Sequence, residues 1–131
     1  MTDRKNALAQ SNALAAMTPL DRFNALALRP LVPGERRNNH DGSYSTEILM
    51  TDQSPDGGVM NYPSLWKRGD QYVELPPEEA LKNMILLERM FGVRLPRYGS
   101  VDAAVNIAKQ TSANGGGSIG RFFTNRLSQK P

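Results

Sequence analysis

Glycine and proline punctuate the middle of this chain so densely that no long helix can run through it. Between Arg29 and Pro77 the breaks fall at Arg29-Pro30, Val32-Pro33-Gly34, Asp41-Gly42, Pro55-Asp56-Gly57-Gly58, Pro63, Gly69-Asp70 and Pro76-Pro77. Proline locks φ and lacks an N–H, and glycine opens the left-handed backbone region, so each break turns the chain. What lies between the breaks reads as short strands. From Ser43 the residues alternate, with Tyr44, Thr46, Ile48 and Met50 on one side and Ser45, Glu47, Leu49 and Thr51 on the other. A period of two is the mark of a strand with one more apolar face. Val59 to Tyr62 reads as the returning strand. After a turn at Lys67-Arg68-Gly69-Asp70, Gln71 to Leu75 reads as a third. The expected sheet is a three-stranded antiparallel meander.

Helices lie on either side of this region. Pro76-Pro77-Glu78-Glu79 opens one, with proline at the first turn and acids where the helix dipole favours them. Ala80, Met84, Leu87 and Phe91 line one face, Leu81 and Ile85 widen it, and Gly92 stops it. Ser100 caps a second helix with Val101, Ala104, Val105 and Ala108 in a narrow stripe, ended by Asn114-Gly115-Gly116-Gly117. At the N-terminus the segment Asn-Ala-Leu-Ala recurs three times. Leu8, Leu14, Leu20 and Leu26, spaced by six, rotate by about 240° per step and form no single stripe, so this is an Ala-rich helical arm and not a coiled-coil seam. Thr18-Pro19 breaks the arm and starts a short helix that runs to about Leu28. The expected fold is α+β: the meander packed by two helices, with an N-terminal helical arm and a basic C-terminal tail. The expected divisions are arm and Pro-rich linker over 1–36, α+β module over 37–112, and Gly-rich linker and basic tail over 113–131.

Composition narrows the chemistry. The 131 residues include no cysteine, which excludes disulfides, thiol nucleophiles and zinc ribbons. No apolar run approaches the ~20 residues that a membrane span needs. Asn6, Gln10, Ser11 and Asn12 interrupt the N-terminal apolar stretch, so the expectation is a protein used without export. Charge is uneven along the chain. Residues 1–37 carry six basic and three acidic side chains, residues 38–92 four and nine, and residues 93–131 six and one. Basic ends around an acidic middle point either to nucleic acid or to an acidic neighbour in an assembly.

His40 is the single histidine, and it lies in the turn Asn39-His40-Asp41-Gly42. With Asp41 and the hydroxyls of Ser43 and Ser45 it has the composition of a nucleophilic site. Immediate neighbours in a tight turn do not converge as a triad must, so the turn reading is preferred. Asp41 and Glu47 around one histidine lack the spacing of a metal site. Arg68-Gly69-Asp70 spells a tripeptide read by some cell-surface receptors, but it stands where a hairpin turn is expected. Gly115-Gly116-Gly117-Ser118 lacks the lysine of a phosphate-binding loop and does not follow a strand, so it reads as a linker. No motif calls for a cofactor, and the expectation is a protein that is not an enzyme.

The strongest binding signal is at the basic end, where Arg121, Phe122, Phe123 and Arg126 combine charge with aromatic surface. Such a set either anchors in a partner groove or grips a phosphate backbone and stacks bases. The candidate partner-binding residues are Phe23, Leu26, Trp66, Arg121, Phe122, Phe123 and Arg126. The candidate structural turn is Asn39, His40, Asp41 and Gly42.

The ordered residues of the module carry a resemblance. Asn39, Asp41, Gly42, Ser43, Ser45 and Thr46 are followed by Glu78, Glu79 and Ala80. Tyr98, Gly99, Ser100, Asp102, Ala103 and Ala104 complete the set. Over roughly 37–112 this order resembles a small Asn-Pro-Asp-Gly-Ser module of tailed-bacteriophage virion-associated and ejection (internal virion) proteins. Proline usually stands there at the position of His40, which implies a structural turn. The segment around Trp66 and Lys67 departs from the pattern, and 1–36 and 113–131 are unmatched. The resemblance implies a structural or ejection-associated virion protein, made in the host cytoplasm, with other virion proteins and several copies of itself as partners. The alternative is a nucleic-acid-binding or host-takeover protein, such as an inhibitor of a host nuclease.

Overall fold

A computed structural model describes residues 17–113 and 115–129. The Ala-rich arm therefore lies outside the described residues. The class is α+β, with antiparallel strands throughout.

Helix α1, Pro19–Asn24, begins as its sequence asks: Thr18 accepts at Oγ1 from the Asp21 N–H at 3.1 Å. Seven short strands follow: β1 Leu28–Pro30, β2 Arg37–Asn38, β3 Tyr44–Ser45, β4 Leu49–Gln53, β5 Val59–Pro63, β6 Leu65–Arg68 and β7 Gln71–Glu74. Three helices complete the fold: α2 Pro77–Phe91, α3 Val101–Ala113 and α4 Ser118–Ser128.

The three-stranded sheet is built from segments other than those expected. Its order is β1-β6-β7, while β2-β3 and β4-β5 are separate hairpins. Two local effects redirect the pairing. Ser64 follows Pro63 and switches the chain between sheets. Its N–H goes to Ile48 O and its carbonyl receives the Leu75 N–H, each at 2.8 Å. Pro30 sits on β1, at the edge of the sheet, where its missing N–H breaks no inner ladder. The strand expected over 43–51 is interrupted at 46–48, where Glu47 turns inward and is buried. Arg68-Gly69-Asp70 is the β6–β7 turn, with Gly69 at φ 61°.

The two expected helices form with their expected caps. Gly92 takes φ 64° at the end of α2, and Ser100 Oγ accepts from the Ala103 N–H at 3.1 Å. Ala80, Met84, Leu87 and Phe91 are buried as the periodicity requires. On α3 only Ala104 of the expected stripe is fully buried, and Val101 points to solvent.

The C-terminal segment is not a tail. It folds as α4, and Ile119, Phe123 and Leu127 enter the core at helical spacing. Nor is the glycine stretch a loose linker. A Cβ on Gly117 would lie 2.7 Å from Pro33 N, and one on Gly120 would collide with the Leu31 carbonyl. Glycine is what lets α4 press against the 31–33 backbone. Helices α1, α2 and α4 meet at three rings. Phe23 stacks on Phe123 at 5.3 Å, and Phe91 stands edge-on to both. Around them Met60, Tyr62, Trp66 and Met84 are fully buried.

Candidate docking surface

Four carboxylates fix the scaffold on which any surface must be displayed. Glu35 receives both guanidinium nitrogens of Arg29 (2.8 and 2.9 Å), Lys67 Nζ (2.9 Å) and the Val32 N–H (2.8 Å). Burial pushes its carboxyl up, but the bonds from Arg29, Val32 and Lys67 outweigh burial and hold it at about 2. This ties the Pro-rich segment after β1 to β6. Glu88, buried on α2, accepts both terminal nitrogens of Arg97 (2.7 and 2.9 Å) and the Leu95 N–H (2.6 Å). Arg97 and Arg94 also reach Asp56 in the β4–β5 turn. The Ser54 hydroxyl, then Arg97 and Arg94, hold Asp56 well below the usual carboxylate range. Glu47 accepts from the N–H groups of Ser118 and Ile119, each at 3.0 Å, and from the Ser118 hydroxyl. It caps α4, whose own N-cap residue is Gly117 and supplies no side chain.

The turn at the head of β3 is a hydrogen-bonded frame. Asn39 N–H donates to Ser43 O at 2.9 Å, and Asn39 Nδ2 donates to the hydroxyls of Ser43 and Ser45 at 3.1 Å. Asp41 Oδ1 accepts from the Ser43 hydroxyl and N–H, which lowers the Asp41 carboxyl. His40 is exposed at the tip. Both hydroxyls are engaged by Asn39 and Asp41, so this cluster has the geometry of a turn.

The expected partner-binding residues divide. Phe23, Trp66 and Phe123 are fully buried and hold this chain's own core, so none of them is displayed to a partner here. Trp66 is anchored through its Nε1–H to Pro63 O at 2.7 Å. Leu26 is partly buried at the edge of the core. Arg121 and Arg126 are exposed on α4, and the Arg126 guanidinium lies 5.1 Å from the centre of the half-buried Phe122 ring.

A pair of exposed apolar side chains lies elsewhere. Leu86 is 53% and Met90 56% exposed, one turn apart on the outer face of α2. A 450 Å³ hollow on one flank is lined by Pro55, Leu81, Ile85 and Leu86 among others. A 360 Å³ hollow on the other flank lies between Leu26 and Met90. Sequence reasoning passed over this ridge, although a signal was present. At 100° per residue Leu86 stands roughly 130° from the centre of the arc holding Ala80, Met84, Leu87 and Phe91. One helix cannot bury both directions against one core.

No family model matches the chain, and neither does any curated protein or any solved structure. Among the described residues, no helix is long and apolar enough to cross a membrane.

Proposed function

We propose that this chain is a non-enzymatic docking protein of a tailed-bacteriophage particle, structural or ejection-associated, that seats on neighbouring subunits. It is made in the host cytoplasm and carried in the virion. The bacteriophage assignment rests on the resemblance over 37–112. The docking assignment rests on one observation: Leu86 and Met90 stand exposed on a helix that Glu88, Arg97 and Asp56 hold rigidly in place. A rigid apolar ridge between two hollows suits burial against a partner, because little conformational freedom is lost on binding. The test is quantitative mass spectrometry of purified particles. A fixed copy number per particle supports the reading, and absence from particles ends it.

A second reading is favoured by α4. Arg121, Phe122 and Arg126 present charge beside a ring, an arrangement that grips single-stranded nucleic acid or serves a host-takeover protein. It requires binding that falls steeply with salt and weakens when Arg121 and Arg126 are replaced together.

A further inference from the structure

The outer face of the β2–β3 hairpin brings positive charge and an open aromatic ring together. Tyr44 is 58% exposed, and the Arg36 guanidinium stands 4.5 Å from its ring centre. Asn38 is paired opposite Tyr44, so its side chain lies on the same face, and it is exposed as well. The other face of the hairpin is engaged. There Arg37 reaches Glu74 at 3.4 Å, and the Ser45 hydroxyl accepts from Asn39.

The carboxylates near this pair are occupied elsewhere. Glu35, next to Arg36 in the chain, is taken by Arg29 and Lys67. Glu47 caps α4, and Asp41 holds the turn through Ser43. A further cation stands at the foot of the hairpin, where both of its ends meet the start of α4. A Cβ on Gly116 would collide with the Thr46 side chain, and one on Gly117 would lie 2.7 Å from Pro33 N. Arg121 is exposed one turn further on, its N–H bonded to the Gly117 carbonyl at 2.9 Å. Tyr44 is two residues from Thr46 and Arg36 three from Pro33, so the pair lies within roughly 10 Å of that junction. Among the described residues, neither Arg36 nor Arg121 takes an ion-pair partner. Phosphates match the two guanidinium groups, and a base matches the ring with its guanidinium plane. The Asn38 amide can both donate to and accept from a base edge. A base is free to stack in this way when it is unpaired, which selects a single strand over a duplex.

We propose that the outer face of the β2–β3 hairpin binds single-stranded nucleic acid, with a base stacked on the Arg36–Tyr44 pair and phosphates on Arg36 and Arg121. This goes beyond docking through α2, and it places the contact on the hairpin, apart from the Phe122–Arg126 pair of α4. The test is fluorescence anisotropy of the full chain with a fluorescein-labelled deoxythymidine strand of about 12 nucleotides. Each variant is first checked for unchanged circular dichroism, which the exposure of Arg36 and Tyr44 favours. The wild type is expected to bind with a Kd on the order of 10 μM at low salt. Tyr44→Leu should weaken binding by about tenfold, and Tyr44→Phe, which keeps a ring, should stay within about twofold. Arg36→Gln should weaken binding and lower the slope of log K against log salt by about 0.7, as loss of one phosphate contact does. A wild type that fails to bind at concentrations on the order of 1 mM overturns the proposal, and the α4 reading with it. Binding that ignores Tyr44→Leu, or that falls as far with Tyr44→Phe, overturns the proposal. If such binding is still lost in Arg121→Gln/Arg126→Gln, the contact belongs to α4 alone and that reading stands.

Discussion

The carboxylate of Glu47 caps the helix that opens at Ser118, 71 residues further along the chain. It satisfies two helix N–H groups that nothing local reaches, and it places a negative charge at the positive end of the helix dipole. Through this contact the loop between β3 and β4 and the C-terminal helix become one unit. Glu47→Ala should lower stability by about 2 kcal/mol, as loss of a charged cap does. Urea unfolding measures the loss, and amide exchange should quicken first in α4. A change under ~0.5 kcal/mol would mean that water replaces the cap.

Gly120 gives a test with the opposite sign from helix propensity. Alanine in a helix is ordinarily better than glycine by about 1 kcal/mol. Here the added Cβ meets the Leu31 carbonyl, so Gly120→Ala should instead destabilise by about 2 kcal/mol. Gly99, whose Cβ would meet nothing, is the control.

Glu35 sets an acid dependence. Its carboxyl sits at about 2 in the folded chain against an ordinary 4.5. The stability it contributes is full above the ordinary value and disappears as pH falls toward the folded one. Discounted for solvent screening, this is about 1 kcal/mol. Glu35→Gln should flatten the fall of melting temperature across that window while leaving neutral-pH circular dichroism unchanged.

His40 occupies the second position of the turn that Gly42 closes onto the Asn39 carbonyl. Proline is favoured there. His40→Pro should keep stability within ~0.5 kcal/mol, since surface turn changes of this kind are mild. Loss of the fold would show that the His40 N–H or side chain carries a contact the turn needs.

Local chemistry made the helices legible. Thr18, the acids of Glu78-Glu79, Gly92 and Ser100 each act within a few residues of themselves. The sheet order was not legible, because Ser64 decides it by bonding Ile48 on one side and Leu75 on the other. Helix α4 was missed for a related reason. Ile119, Phe123 and Leu127 have helical spacing, but the cap is Glu47 and the glycines before it look like a linker until Pro33 is placed against them. Of the candidate site, the charged part of α4 was legible. The ridge of Leu86 and Met90 was hidden among other apolar residues of one helix.

The most direct test of docking through that ridge is a count of this chain in purified particles, for the wild type and for Leu86→Lys/Met90→Lys. Both changes fall on exposed positions, so the fold should survive them. The account expects a fixed number of copies for the wild type and loss of the variant from particles. An unchanged count in the variant, or no wild-type copies at all, would contradict it.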